Sequence, residues 1–182
     1  MYSLKAVPTW NEVTTLLNKM RDEIDSVGLR DYCIVALLVT TGIRKSELLH
    51  LKKQDVDIKN GTIMIKQLKK QKQEEFYRKI ALMPEIIPFL EKYMHHVPGD
   101  RLFTISPMQV TNIVHLYTKK YLNKIYRAHA FRHAFAIRIL EKTRDIELCR
   151  RLLGHSRLET VKIYLDFMIE DRKNEIINAI RG

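Results

Sequence analysis

Apolar residues recur at helical spacing along most of the chain, which predicts a mostly helical protein. Thr9, Ser106 and Ser156 each precede such a segment and have Glu or Gln three residues later. This capping box predicts a helix start at each position, the first helix running to about Ile24. The segment 29–41 reads as a buried helix that Gly42 terminates.

A β-signal is confined to residues 56–82. Apolar segments at 56–58 and 62–65 flank Asn60-Gly61, a strong hairpin signal, and 76–82 can supply a third strand. The lysine- and glutamine-rich tract 66–75 then predicts a loop between the second and third strands.

The rest of the chain indicates further helices with short joints. These are expected at 84–96, 128–140, 145–153 and 157–164, with a turn at 97–100 and an isoleucine stripe along 167–180. The expected fold class is mainly α with a small three-stranded antiparallel β-sheet (α+β). We expect one domain over residues 1–182, with a tail helix at about 167–182.

The net charge of the chain indicates what kind of molecule it binds. The 182 residues include 32 Lys and Arg against 21 Asp and Glu, a formal net charge of +11. Such an excess favours a polyanion, with nucleic acid the leading candidate, although a basic protein without such a partner stays open. No apolar run is long enough for a membrane span, and no signal peptide is visible. Cys33 and Cys149 lie in apolar helical patterns, as expected of reduced thiols in an intracellular, cytoplasmic protein.

Five spaced residues carry the candidate chemistry: Arg44, His129, Arg132, His155 and Tyr164. Arginines can hold phosphate oxygens through their forked donors, histidines can donate hydrogen bonds or move protons, and a tyrosine can attack phosphorus. Taken singly, each has a plainer interpretation as a surface, turn or core residue. No metal-ligand cluster and no Ser/His/Asp set competes with them, so neither a metal nor a cofactor is expected.

The order and spacing of these residues resemble the tyrosine recombinase (phage-integrase) family. The resemblance is carried by TGIRKSEL at 41–48, HAFRHAFA at 129–136 and LLGHS at 152–156, followed by Tyr164. His155 follows Arg132 by twenty-three positions and precedes Tyr164 by nine, as in the family pattern. The resemblance extends from Thr9 to about Phe167.

The family resemblance implies a role for each matched residue. Arg44 and Arg132 would hold the scissile phosphate, and His129 and His155 would hydrogen-bond it and assist proton transfer. Tyr164 would be the nucleophile that forms a 3′-phosphotyrosine.

Two further positions support this set. Glu47, one turn after Arg44, would buttress that arginine rather than react. A family lysine on the hairpin loop would protonate the leaving 5′ oxygen, and we favour Lys69 for it. Lys70 and Lys72 stay open, because the usual Gly-Lys-Gly tract is missing. A solvated lysine run that touches DNA backbone is the plainer interpretation of the tract.

The implied activity is site-specific DNA recombination, for integration or excision by a virus or plasmid or in an Xer-like role, with no need of metal or ATP. The partner would be double-stranded DNA, held by a homo-tetramer on paired sites, with a free monomer in solution left open. We expect the family's usual N-terminal DNA-binding domain to be absent, and whether the chain is a fragment of a longer protein or a minimal family member stays open. A nucleoid-associated protein of prokaryotic or viral origin is expected. Type IB topoisomerase-like strand swivelling and a non-catalytic helical DNA-binding protein are the alternatives.

Overall fold

The computed structural model describes residues 7–67 and 76–154, together with residues 177, 178, 180 and 181 of the tail. Helices predominate, as the apolar periodicity predicts. They are α1 (Trp10–Asp22), α2 (Ile24–Val27), α3 (Leu29–Thr41), α4 (Lys45–Leu48), α5 (Ile87–His96), α6 (Pro107–Leu122), α7 (Ala128–Thr143) and α8 (Ile146–Leu153), with 3-10 turns at Lys53–Asp55 and Pro84–Ile86.

Two of the three predicted helix starts are confirmed by their capping boxes. The Thr9 hydroxyl accepts from the Glu12 N–H, and the Glu12 carboxylate accepts from the Thr9 N–H at 2.8 Å. Ser106 has the same reciprocal bonds with Gln109. These bonds satisfy N–H groups that a helix start leaves without intrahelical partners. The start at Ser156 lies outside the described residues.

Helix ends are less well predicted than starts. The first helix stops at Asp22 and a separate short helix follows it, where one helix to Ile24 was expected. The helix expected at 128–140 continues to Thr143 and ends at Arg144, which adopts the left-handed conformation with φ 55°. No glycine or proline marks either end, so the sequence gives no stop signal there.

Helix α3 forms the centre of the core. Every residue from Tyr32 to Thr41 is buried, and the helix packs against α1, α5 and α7. Because α3 is apolar on all sides, other helices must pack around its whole circumference. This packing fixes the position of the segment that follows α3, which holds Arg44.

The small sheet is antiparallel with strand order β1 (Val56–Asp57), β2 (Thr62–Gln67) and β3 (Phe76–Ala81). Ile63 pairs with Ile80, and Ile65 pairs with Arg78. All four side chains are buried, so Arg78 shares the inward face with three isoleucines. The predicted fold class is confirmed.

Several expectations concern residues that the structure does not describe. They are residues 68–75 of the expected loop, the helix at 157–164 and most of the isoleucine stripe. The first two residues of the tract expected as a loop at 66–75 instead belong to β2, because they continue its pairing with β3. The two cysteines are buried and unpaired with one another, as expected of core thiols. Within the described ranges no helix is long and apolar enough to cross a membrane.

Candidate active site

Arg44 lies where α3 turns into α4. Gly42 ends α3 in the left-handed conformation with φ 60°, and Arg44 becomes the N-cap of α4. Its backbone N–H donates to Glu47 Oε2 and its Nη1 donates to Glu47 Oε1, each at 2.9 Å. The side chain remains 37% exposed. Glu47 therefore fixes both ends of Arg44 while leaving the guanidinium open to a ligand.

Glu47 is itself held by a second arginine that the sequence analysis missed. Arg78 donates from Nη1 to Oε1 at 3.0 Å and from Nη2 to Oε2 at 2.8 Å, and both side chains are buried. Burial alone would raise the pKa of Glu47, but the hydrogen bonds and charge of Arg78, and then those of Arg44, outweigh it and lower the pKa. Glu47 is thus an ionised support.

Arg132 is buried at 1% exposure, and its guanidinium bonds two backbone carbonyls. Its Nη1 donates to the Gly42 carbonyl at 2.6 Å, and its Nη2 donates to the Leu153 carbonyl. These carbonyls belong to the ends of α3 and α8, so one guanidinium joins both ends to α7. The positive charge of Arg132 therefore lies next to the backbone of the loop that holds Arg44.

His129 lies in the first turn of α7 and is exposed. Partial desolvation by the surrounding walls, followed by the charges of Arg132 and Arg44, lowers the pKa of His129. The His133 ring meets it edge-on, with centroids 4.5 Å apart. Burial, aided by His129 and Arg132, lowers the pKa of His133 to about 4. Both imidazoles are therefore neutral at pH 7.

Arg44 and His129 line one cleft of about 630 Å³. Lys45 also lines it, and its Nζ donates to Thr111 Oγ1 on α6 at 3.0 Å. Arg127, the N-cap of α7, also lines the cleft, and its side chain makes no capping hydrogen bond at that helix start. The described residues that line it are Ile43, Arg44, Lys45, Ser46, Thr111, His115, Arg127, Ala128 and His129.

The structure thus brings together Arg44, Glu47, His129 and Arg132 of the predicted set. Lys69, His155 and Tyr164 lie outside the described residues. Arg78 could have been found in the sequence as a charged residue on the inward face of an alternating strand. Arg127 carries no such local signal, because its place in the cleft depends on how α6 packs against α4 and α7.

The end of α8 abuts the buried ion pair. Gly154 is left-handed at φ 64°, and a Cβ there would lie 2.7 Å from Gln67 Nε2 and 3.1 Å from Arg78 Nη1. Only glycine accommodates both the conformation and the approach. The residue before His155 is therefore packed against the arginine that supports Glu47.

Comparison with known proteins agrees with this geometry. The phage integrase family model matches residues 8–169. This chain belongs to the phage integrase family. It is 34% identical to the tyrosine recombinase XerA of Thermococcus kodakarensis, over 99% of this chain and 66% of that protein. It is 32% identical to XerA of Pyrococcus furiosus, over 90% of this chain and 59% of that protein.

Solved structures share the fold. The crystal structure of XerA recombinase matches with a TM-score of 0.75 at 25% identity, covering 91% of this chain and 64% of that one. XerH site-specific recombinase bound to palindromic difH substrate, a post-cleavage complex, matches with a TM-score of 0.78 at 24% identity, covering 99% of this chain and 54% of that one. This phage integrase family chain spans between half and two thirds of the length of these relatives.

Proposed function

We propose that this chain is the catalytic domain of a site-specific DNA recombinase that cleaves and rejoins duplex DNA through a 3′-phosphotyrosine at Tyr164. One observation carries the proposal. Arg44 and His129, distant in the sequence, line the same cleft, and buried Arg132 holds the backbone beside it. A phosphodiester placed there would meet donors on two walls.

The first part of the proposed reaction is phosphate binding. Arg44 and His129 would donate to the non-bridging oxygens, where negative charge accumulates as a nucleophile attacks phosphorus. Because the pKa of His129 is lowered, its neutral ring would donate through one N–H. Buried Arg132 would contribute its positive charge and would fix the two backbone segments that it hydrogen-bonds.

The second part is transesterification. Tyr164 Oη would attack phosphorus as the bond between phosphorus and O5′ breaks, with its proton passing to an acceptor, for which we propose His155. Lys69 would donate a proton to O5′, with Lys70 and Lys72 as alternatives. One phosphoester replaces another, so the ester energy is retained and a free 5′ hydroxyl can reverse the step. This chemistry consumes no ATP.

The proposed partner is double-stranded DNA. A net charge of +11 supports binding to a polyanion, and the XerH site-specific recombinase, which shares the fold, was solved bound to its difH substrate. We propose that residues 1–182 act as the catalytic unit, with residues 167–182 as its tail. A tetramer would assemble on paired sites, in a prokaryotic or virus-infected cytoplasm.

Strand exchange is favoured over strand swivelling or binding alone, because the relatives described above are recombinases. A plasmid with two directly repeated copies of a candidate attachment sequence provides the test. The recombinase predicts excision of the intervening DNA as a circle. Relaxation of a supercoiled plasmid without any attachment sequence, and no excision, would instead favour a topoisomerase.

A further inference from the structure

We propose that Lys45 and Arg127 form a second phosphate-binding subsite, which takes the DNA backbone phosphate next to the one held by Arg44 and His129. The inference rests on the proposed function, since it concerns the same substrate in the same cleft. It adds two residues outside the predicted catalytic set.

The first argument is the charge balance of the cleft. Among the residues that the structure describes, no Asp or Glu contributes to its lining. Glu47 lies just behind Arg44, but Arg78 occupies both of its oxygens and offsets its charge. Glu47 is thus the one carboxylate that the described residues set against the four cations Arg44, Arg78, Lys45 and Arg127, so the charge at the cleft stays strongly positive. A phosphodiester carries one negative charge, so three cations exceed what the scissile phosphate alone would neutralise.

The second argument is that neither added cation pairs with an acidic residue in the part of the chain that the structure describes. Lys45 Nζ bonds a neutral hydroxyl, that of Thr111, at 3.0 Å. Arg127 is exposed, and among residues 7–67 and 76–154 no carboxylate pairs with it. Elsewhere on the surface, by contrast, Lys120 pairs with Glu23 at 2.6 Å. Lys45 and Arg127 can therefore bind an anion without first breaking an ion pair with a described residue.

The third argument is position. Lys45 is the first residue of α4 and adjoins Arg44, while Arg127 precedes His129 by two residues at the start of α7. Each added cation is therefore close in the sequence to one of the phosphate-binding residues, and all four residues line one cleft. Successive phosphates of one strand rise by about 3.4 Å along the duplex, so a strand bound at Arg44 would carry a neighbouring phosphate into the same space.

The salt dependence of binding to a short random-sequence duplex tests the proposal without knowledge of the target site. Each lost phosphate contact lowers the slope of log Kd against log salt by about 0.9. Arg127→Gln and Lys45→Gln should each lower it by about that amount, and the double variant by about twice as much. Arg127→Lys keeps the charge and should retain the slope. Lys92→Gln, an exposed α5 residue outside the cleft, is the matched control.

The outcomes separate the inference from the proposed function. Slopes in the Arg127→Gln and Lys45→Gln variants that equal the Lys92→Gln slope would overturn the second subsite, while leaving recombination intact. Failure of the unaltered protein to bind duplex DNA would overturn both. Circular dichroism of each variant checks that the fold persists, which is expected because Arg127 is exposed and Lys45 lies at the cleft surface.

Discussion

The Arg132 side chain donates a 2.6 Å hydrogen bond to the carbonyl of Gly42, the residue that ends α3 two positions before Arg44. The same guanidinium donates to the carbonyl of Leu153, two positions before His155. One buried side chain thus anchors the backbone that leads into two of the predicted motifs. The two arginines therefore differ in their surroundings. The Arg44 side chain is partly exposed, whereas the Arg132 side chain is buried and holds two backbone segments in place.

This difference predicts separable effects of Arg44→Ala and Arg132→Ala. Arg44→Ala should lower the cleavage rate about 10²–10³-fold, the usual cost of one transition-state donor, with little change in the free energy of unfolding. Arg132→Ala should lower both the cleavage rate and the free energy of unfolding. It leaves two buried carbonyls without their arginine donor, and each lost partner should cost about 1–3 kcal/mol of stability. Urea unfolding and single-turnover cleavage measure the two quantities. Equal stability loss in both variants would contradict the distinction.

A second prediction concerns the buried pair of Arg78 and Glu47. Arg78→Met should lower the free energy of unfolding by about 3–5 kcal/mol, because the ionised Glu47 would lose its main partner while buried. The rate should also fall, since Glu47 orients Arg44. Lys120→Met, which breaks an exposed pair with Glu23, is the control and should barely change unfolding.

Acid sensitivity gives an independent check on Glu47. Its pKa is lowered in the folded state, so its contribution to stability is present above the unfolded pKa and is lost as pH falls through the folded pKa. Glu47→Gln should therefore show a shallower loss of stability below about pH 4.3, the ordinary Glu value. Unfolding curves of parent and variant with parallel acid limbs would show that Glu47 is not held ionised.

Gly42 is predicted to resist any side chain. A Cβ there would lie 2.6 Å from Phe135 Cδ1, and φ is 60°. Gly42→Ala should cost about 1–2 kcal/mol for the left-handed conformation and about 1–3 kcal/mol more for overpacking. Gly99→Ala, where φ is 72° and the space is open, should show only the first cost. Thermal unfolding of both variants compares them directly.

His133 is predicted to make stability depend on pH in the acidic range. The pKa of His133 is lowered to about 4 in the folded protein, so between about pH 6.5 and 4 the unfolded chain binds the proton more readily. Stability should fall with decreasing pH there, by at most about 1.4 kcal/mol per pH unit from this group. His133→Gln should flatten this limb, and the two curves should run parallel above pH 7. An unchanged limb would contradict the assignment.

Local signals predicted most of the secondary structure. The capping boxes at Thr9 and Ser106, the uniformly apolar α3 and the Asn60-Gly61 hairpin all act within a few residues, so the sequence alone reveals them. The end of α7 was not predicted, because no glycine or proline marks it and Arg144 takes the left-handed conformation instead.

The sequence predicted which residues belong to the candidate site better than it predicted the contacts between them. Motif spacing selected Arg44 and Arg132, but the carbonyl partners of Arg132 depend on where α3 and α8 end in space. Arg78 was missed although its inward position on β3 follows from strand alternation. Arg127 and Lys45 line the same cleft because α4, α6 and α7 pack together, which no local pattern encodes.

The most direct test of the central claim is the covalent intermediate itself. A nicked duplex carrying a candidate attachment sequence traps the cleaved state, because the short released strand diffuses away. On a denaturing gel the unaltered protein should shift to a DNA-linked band, and Tyr164→Phe should give no such band while binding the duplex with nearly the same affinity. A DNA-linked band that persists in Tyr164→Phe would contradict the assignment of Tyr164 as the nucleophile.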